Sequence, residues 1–235
     1  MIPTWLHWLS VASLLLALAC AIVIAIDEKR HPQKMWIMNV VWPVTALFGS
    51  VIALWGYYRY GRLAAKDGIE DHTAATPYAA MVGKGSSHCG SGCTLGDICA
   101  EWLAFGLPVV ATWFGWQTLF ETKMFAVWIL DFIFAFGFGI AFQYFTIKPM
   151  RDVTPMQGLI AAIKADTLSL TAWQVGMYGF MAVAHFWIFA TVLGAELKTD
   201  RVEFWFMMQI AMLFGFATSY PVNWWLIRIG VKEKM

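Results

Sequence analysis

Charge is scarce in this chain. Only 13% of its 235 residues are Asp, Glu, Lys or Arg, about half the share usual in a soluble domain. What charge there is nearly cancels, at +1, and no basic stripe remains for phosphates, which excludes nucleic acid as a partner. Cysteine is limited to Cys20, Cys89, Cys93 and Cys99, too few and too uneven for a secreted disulfide scaffold. The sequence contains no nucleotide-binding glycine loop, Gly-x-Ser-x-Gly elbow or His-Glu-x-x-His helix, so the usual motifs of nucleotide-using and hydrolytic enzymes are missing.

Apolar surface takes the place of charge: 60% of the residues are hydrophobic and the mean hydropathy is +0.63. Apolar runs predict six membrane spans, over 5–26, 35–58, 95–120, 124–147, 171–195 and 204–229, each long enough for a hydrocarbon core of about 30 Å. The first lacks a basic leader and exceeds a signal peptide's apolar core, so it reads as a retained span. Trp5, Trp36, Trp128, Trp205 and Trp225 fall near span ends, where tryptophan belts form. Between spans four and five, Thr154 and Pro155 resemble an N-cap and first helical turn, and Met156, Leu159, Ile160 and Ile163 follow at helical spacing. An interfacial amphipathic helix is therefore expected there. The expected fold is all-α, a polytopic transmembrane bundle of six spans plus that helix. It divides into two spans over 1–58, a loop over 59–94 and a four-helix membrane domain over 95–235. Counting Lys and Arg by loop gives ten against six, which puts both termini and the 59–94 loop in the cytoplasm of a bacterial inner membrane.

Chemistry concentrates in GSSHCGSGCTLGDICAE, residues 85–101. The Cys89-x3-Cys93 spacing suits thiolate metal sites, His88 adds a nitrogen, and the glycines would let a loop fold round an ion. Thr94 reads as the N-cap of the third span, placing Cys93 where a helix N-terminus favours the thiolate. Asp97 is either a fourth ligand or the partner of Thr94 in a capping box. Such donors suit zinc or copper(I) as the bound ion. The competing reading is an inert glycine loop, and the Cys89, Cys93, Asp97, Glu101 stripe has helical meaning only if the helix begins before Thr94.

Asp131 sits alone inside span four, where a carboxylate costs about 2.5–3.5 kcal/mol and usually faces a bundle interior. Met177, Met181 and His185 step by four along span five, and Met208 and Met212 repeat the pair in span six. This ladder suits copper(I), although methionine is also a common core filler. Glu121, Glu196, Asp200 and Glu203 read as solvated helix-end charges, and His7, His31 and His72 have no companions at ligand spacing.

The strings HCGSGCTLGDICAE, AIKADTLSLTAWQVGMYG (162–179) and NWWLIRIGVKEKM (223–235) resemble a bacterial membrane-protein family classed as a domain of unknown function, over about residues 85–235. The resemblance implies a polytopic helical membrane protein and carries no activity with it. It also implies that His88, Cys89, Cys93 and Asp97 belong to one family motif, and Lys164 and Asp166 to another.

The leading expectation is a membrane protein that transports or senses a soft transition metal, copper or zinc. His88, Cys89, Cys93 and Asp97 would bind the ion, with Glu101, Asp131, Met177, Met181 and His185 along its path. A thiol-redox enzyme using Cys89 and Cys93 is an alternative, disfavoured by the Cys-x3-Cys spacing, and no catalytic residue is assigned. A metal-stapled assembly subunit is another. Expected partners are the lipid bilayer and the metal ion, and Gly137, Gly139, Gly176 and Gly179 leave a homo-oligomer open.

Overall fold

The computed structural model describes residues 2–71, 73–150 and 153–234. The histidine at 72, the arginine at 151 and the aspartate at 152 fall outside them. Among the described residues every regular element is helical: α1 (Thr4–Arg30), α2 (Met38–Gly56), α3 (Tyr78–Gly106), α4 (Val109–Trp113), α5 (Lys123–Met150), α6 (Pro155–Ala182) and α7 (Val202–Arg228). Five stretches are long and apolar enough to cross a membrane: Thr4–Arg30, Met38–Ala64, Lys123–Lys148, Pro155–Leu193 and Val202–Arg228.

Met38–Ala64 nonetheless does not cross. Ser50 leaves the helix with φ 45° and ψ −126°, the left-handed conformation of a tight reversal. The chain then returns alongside itself. Trp42 packs edge-on against Tyr57 at 5.6 Å and lies against Gly61. The two ends close where Lys34 N donates to Ala64 O (3.0 Å) and Lys66 N to Pro32 O (2.8 Å). His31 hydrogen-bonds Asp67 beside them (2.5 Å), which holds that carboxyl below its usual range. Each arm has room for about 20 Å of helix, roughly two thirds of a hydrocarbon core. The segment is a re-entrant hairpin.

The remaining order follows from side-chain pairs. His7 Nδ1 meets Glu203 Oε1 at 2.8 Å and Ser13 Oγ donates to Gln209 Oε1 at 2.8 Å, so α1 and α7 run parallel. Gly92 faces Gly139 and Gly96 faces Ala135, so α3 and α5 are antiparallel; Ser169 meets Asn223 and Phe180 stacks on Phe214, so α6 and α7 are too. Crossings are therefore made by α1, α3, α5, α6 and α7, and the start of α1 and the end of α7 lie at opposite ends of the bundle. This corrects the expectation of six spans with both termini on one side, because hydropathy registers apolar length and not a reversal at one residue. With the hairpin in place, one end gathers Lys29, Arg30, Lys34, Arg59, Arg62, Lys66, Lys84, Lys148, Lys164, Arg228, Lys232 and Lys234, against Lys123, Lys198 and Arg201 at the other. We call the first the basic end.

Two further expectations change. Helix α3 begins at Tyr78 and runs unbroken through the string read as a loop, so the division at 59–94 does not hold. Its glycines are contacts between helices. A Cβ on Gly96 would lie 2.6 Å from Ala135 Cα, one on Gly92 3.0 Å from Gly139, and one on Gly90 would strike the Trp173 ring. This is the small-residue packing that lets membrane helices approach. Thr94 sits mid-helix, its hydroxyl donating to Gly90 O (2.7 Å), and neither it nor Asp97 caps anything. The interfacial helix is likewise the first part of α6, which continues as wide π-helical turns over Val183–Leu193. Its N-terminus carries the expected Thr154 cap, which Gln157 completes as a capping box, with Gln157 N donating to Thr154 Oγ1 (3.3 Å). Met156, Leu159, Ile160 and Ile163 face outward while Ala162, Ala165, Asp166 and Ser169 are buried. The apolar stripe faces lipid, and the small and polar residues face the bundle.

Candidate functional site

Helix α3 lies at the centre of the bundle. It buries Lys84, Ser86, Ser87, His88, Cys89, Ser91, Thr94, Asp97 and Glu101, a polar sequence shielded from lipid by apolar neighbours. Some of these groups serve the hairpin: Ser91 Oγ meets Thr45 Oγ1 at 3.0 Å and donates to Val41 O at 3.0 Å. From α7, Gln209 Nε2 donates to Leu47 O (2.7 Å). Irregular backbone at membrane depth requires such partners.

The expected His-Cys hook does not converge. Neighbouring residues on a helix point about 100° apart. His88 turns to α5, where its Nε2 meets Thr146 Oγ1 at 2.9 Å, while Cys89 turns to α6. There its Sγ donates to Asp166 Oδ1 (2.6 Å), meets Ser169 Oγ (2.9 Å) and accepts from Lys232 Nζ (2.9 Å). Among the described residues no three His, Cys, Asp or Glu side chains are placed to hold one metal ion. Because α3 is continuous, Cys89, Cys93, Asp97 and Glu101 do form a slowly spiralling stripe on one side of it.

Further along that stripe is an acidic station. Asp97 and Asp131 are 0% and 1% exposed and Glu101 is 7% exposed, and the three lie within electrostatic reach of one another. Glu101 Oε2 accepts from Thr199 Oγ1 (2.8 Å). Asp97 completes no hydrogen bond at either oxygen, Asp131 none at Oδ1, and the Gln174 amide none at either end, although Gln174 faces Asp97.

Two cavities reach this station. Glu101 lines one of about 450 Å³ together with Lys123, Met181, His185, Lys198 and Thr199, opening at the end opposite the basic one. Asp97 lines another of about 550 Å³, walled by Leu14, Leu18, Phe48, Trp102, Trp205 and Met208. That space lies beside the hairpin tip, against Leu47 and Phe48. Met177 and Met181 are buried with Cys93, Met208 and Met212 in one cluster. Thus Glu101, Met181 and His185 share the vestibule, Asp97 and Asp131 lie one step deeper, and Met177 is core.

The sequence reading missed Gln174, Ser169, Asn223 and Lys232. Gln174 and Asn223 carried a signal, since each is an amide inside an apolar run. Lys232 carried none beyond its charge, because only the fold returns it to α3. Residues 79–232, two thirds of the chain, match the model of a domain of unknown function (DUF4396). No curated protein and no solved structure matches the chain.

Proposed function

The chain belongs to the DUF4396 family, and we propose that it moves a small cation across a membrane along α3. The observation that carries this reading is the acidic station, Asp97, Glu101 and Asp131, buried in the bundle with Asp97 hydrogen-bonded at neither oxygen and Asp131 not at Oδ1, and met by two cavities. A carboxylate held at that depth short of partners, as Asp97 is, is costly, and such groups mark ion and proton pathways. A cation entering by the vestibule meets Glu101 first and is then shared among three carboxylates. Sharing keeps each site weak enough to release the ion.

A narrower reading makes the cargo a soft metal, copper or zinc. The cluster of Cys93 with Met177, Met181, Met208 and Met212 favours it, since thiol and thioether suit copper(I). Purified protein in liposomes should accelerate the flux of at least one of proton, potassium, zinc or reduced copper over protein-free vesicles. If all four leak at the protein-free rate, the cation reading fails.

We also place the protein in a bacterial inner membrane with the basic end in the cytoplasm. Among the described residues, twelve basic residues against three support this orientation, which puts the start of α1 outside. A fluorescent protein fused after residue 235 should glow. A tag before residue 1 should be cut by protease added outside spheroplasts, and protection of that tag would reverse the assignment.

A further inference from the structure

Away from the acidic station, five polar side chains from three helices and a tail converge on one point. Lys232 follows α7 beyond Gly230, whose φ of 73° turns the chain, and Val231 N and Lys232 N both fold back onto Leu226 O (3.0 and 3.2 Å). The lysine stem passes Gly85 of α3. Its ammonium then donates to Asn223 Oδ1 (2.7 Å), Cys89 Sγ (2.9 Å) and Ser169 Oγ (3.4 Å), with Asp166 Oδ1 at 3.7 Å as the counter-charge. An ammonium has three N–H donors, and here each finds an acceptor. The Lys232 side chain is 0% exposed and that of Asp166 1%.

Four of the five members stand on the helices and would remain in place without the tail. Asp166 is given room by Gly139, where a Cβ would strike its Oδ2. A buried ion pair is weak evidence for stability, because apolar residues of similar volume usually hold a fold as well. The arrangement instead has the form of a receptor for one small cation with N–H donors.

We propose that Cys89, Asp166, Ser169 and Asn223 form a binding site for a small monovalent cation of the primary-ammonium class, and that Lys232 fills it as a tethered ligand. With Lys232 seated the site is shut toward the basic end. When the tail withdraws about Gly230 the site opens to a free cation. The site stands on its own geometry, and its role as a gate rests on the translocation reading.

Binding rather than flux therefore tests the site. Lys232→Ala, purified in detergent, should melt below wild type and recover saturably with ethylammonium chloride, by mass action on the folded state. Tetramethylammonium chloride, which has the charge but no N–H, should not restore it. In a Cys99→Ser background, a methanethiosulfonate reagent should label Cys89 about tenfold faster in Lys232→Ala than in the parent, as expected when a buried group gains an open state. Ethylammonium should slow that labelling. Lys232→Met keeps the stem without the charge and provides the same labelling readout if Lys232→Ala does not fold. Equal rescue by both amines, or Cys89 labelling unchanged in both variants, would overturn the proposal whatever the flux assay shows.

Discussion

Asp97→Asn is expected to stop cation movement and to make the protein more stable. The carboxylate is fully buried with neither oxygen hydrogen-bonded. A charge in that position costs about 2.5–3.5 kcal/mol, and the isosteric amide removes the charge while offering Gln174 a donor and an acceptor. Stabilisation of about 1–3 kcal/mol should follow, raising the melting temperature by roughly 2–4 °C for each kcal/mol in a chain of this size. Flux of the transported cation should fall about a hundredfold, equivalent to about 2.7 kcal/mol. Stability and activity would then move in opposite directions, as at sites kept strained for function. A purely structural Asp97 would produce the reverse, a lower melting temperature with flux intact. Vesicle flux and detergent melting curves on one preparation separate the two.

Gly96→Ala is expected to cause the largest loss of stability among single-methyl changes. The added Cβ would lie 2.6 Å from Ala135 Cα, and backbone cannot swing aside as a side chain can. Helices α3 and α5 would have to separate, loosening the contact of Gly92 with Gly139 one turn away. Overpacking in a closed core costs about 1–3 kcal/mol, and the upper end is expected here. Gly83 is the control on the same helix, with no atom within 4 Å of its added Cβ. Gly83→Ala should stabilise by about 0.5–1 kcal/mol through helix propensity alone. If the two alanine variants melt alike, α3 and α5 are not in the contact described.

The same glycines explain why the site was only half legible. In GSSHCGSGCTLGDICAE, glycine and serine beside cysteine carry the signature of a flexible loop, and by local propensity they are one. Inside a bundle, the missing side chains become close helix contacts, and the helix forms because its neighbours demand it. Reading the string as a loop made His88, Cys89 and Cys93 a hook. Reading it as a helix sends His88 to Thr146 and Cys89 to Asp166, turns Asp97 from a cap into a buried interior carboxylate, and sets Glu101 on the same stripe beside the vestibule. Asp131 was legible because one carboxylate in an apolar run needs no tertiary information to be out of place.

The sequence by itself determined the solvent and the class of fold. Long apolar runs with little charge can only be helices in lipid, since each must satisfy its own backbone. It also determined the capped start of α6 and the isolation of Asp131, both local features. Tertiary structure alone decided the reversal at Ser50, the depth of α3, and the meeting of Lys232 with Cys89 across 143 residues. None of these has a local signal. A reversal needs one residue's torsion, a polar helix is admissible only once others surround it, and a buried ammonium is stable only where the folded chain has already assembled its acceptors.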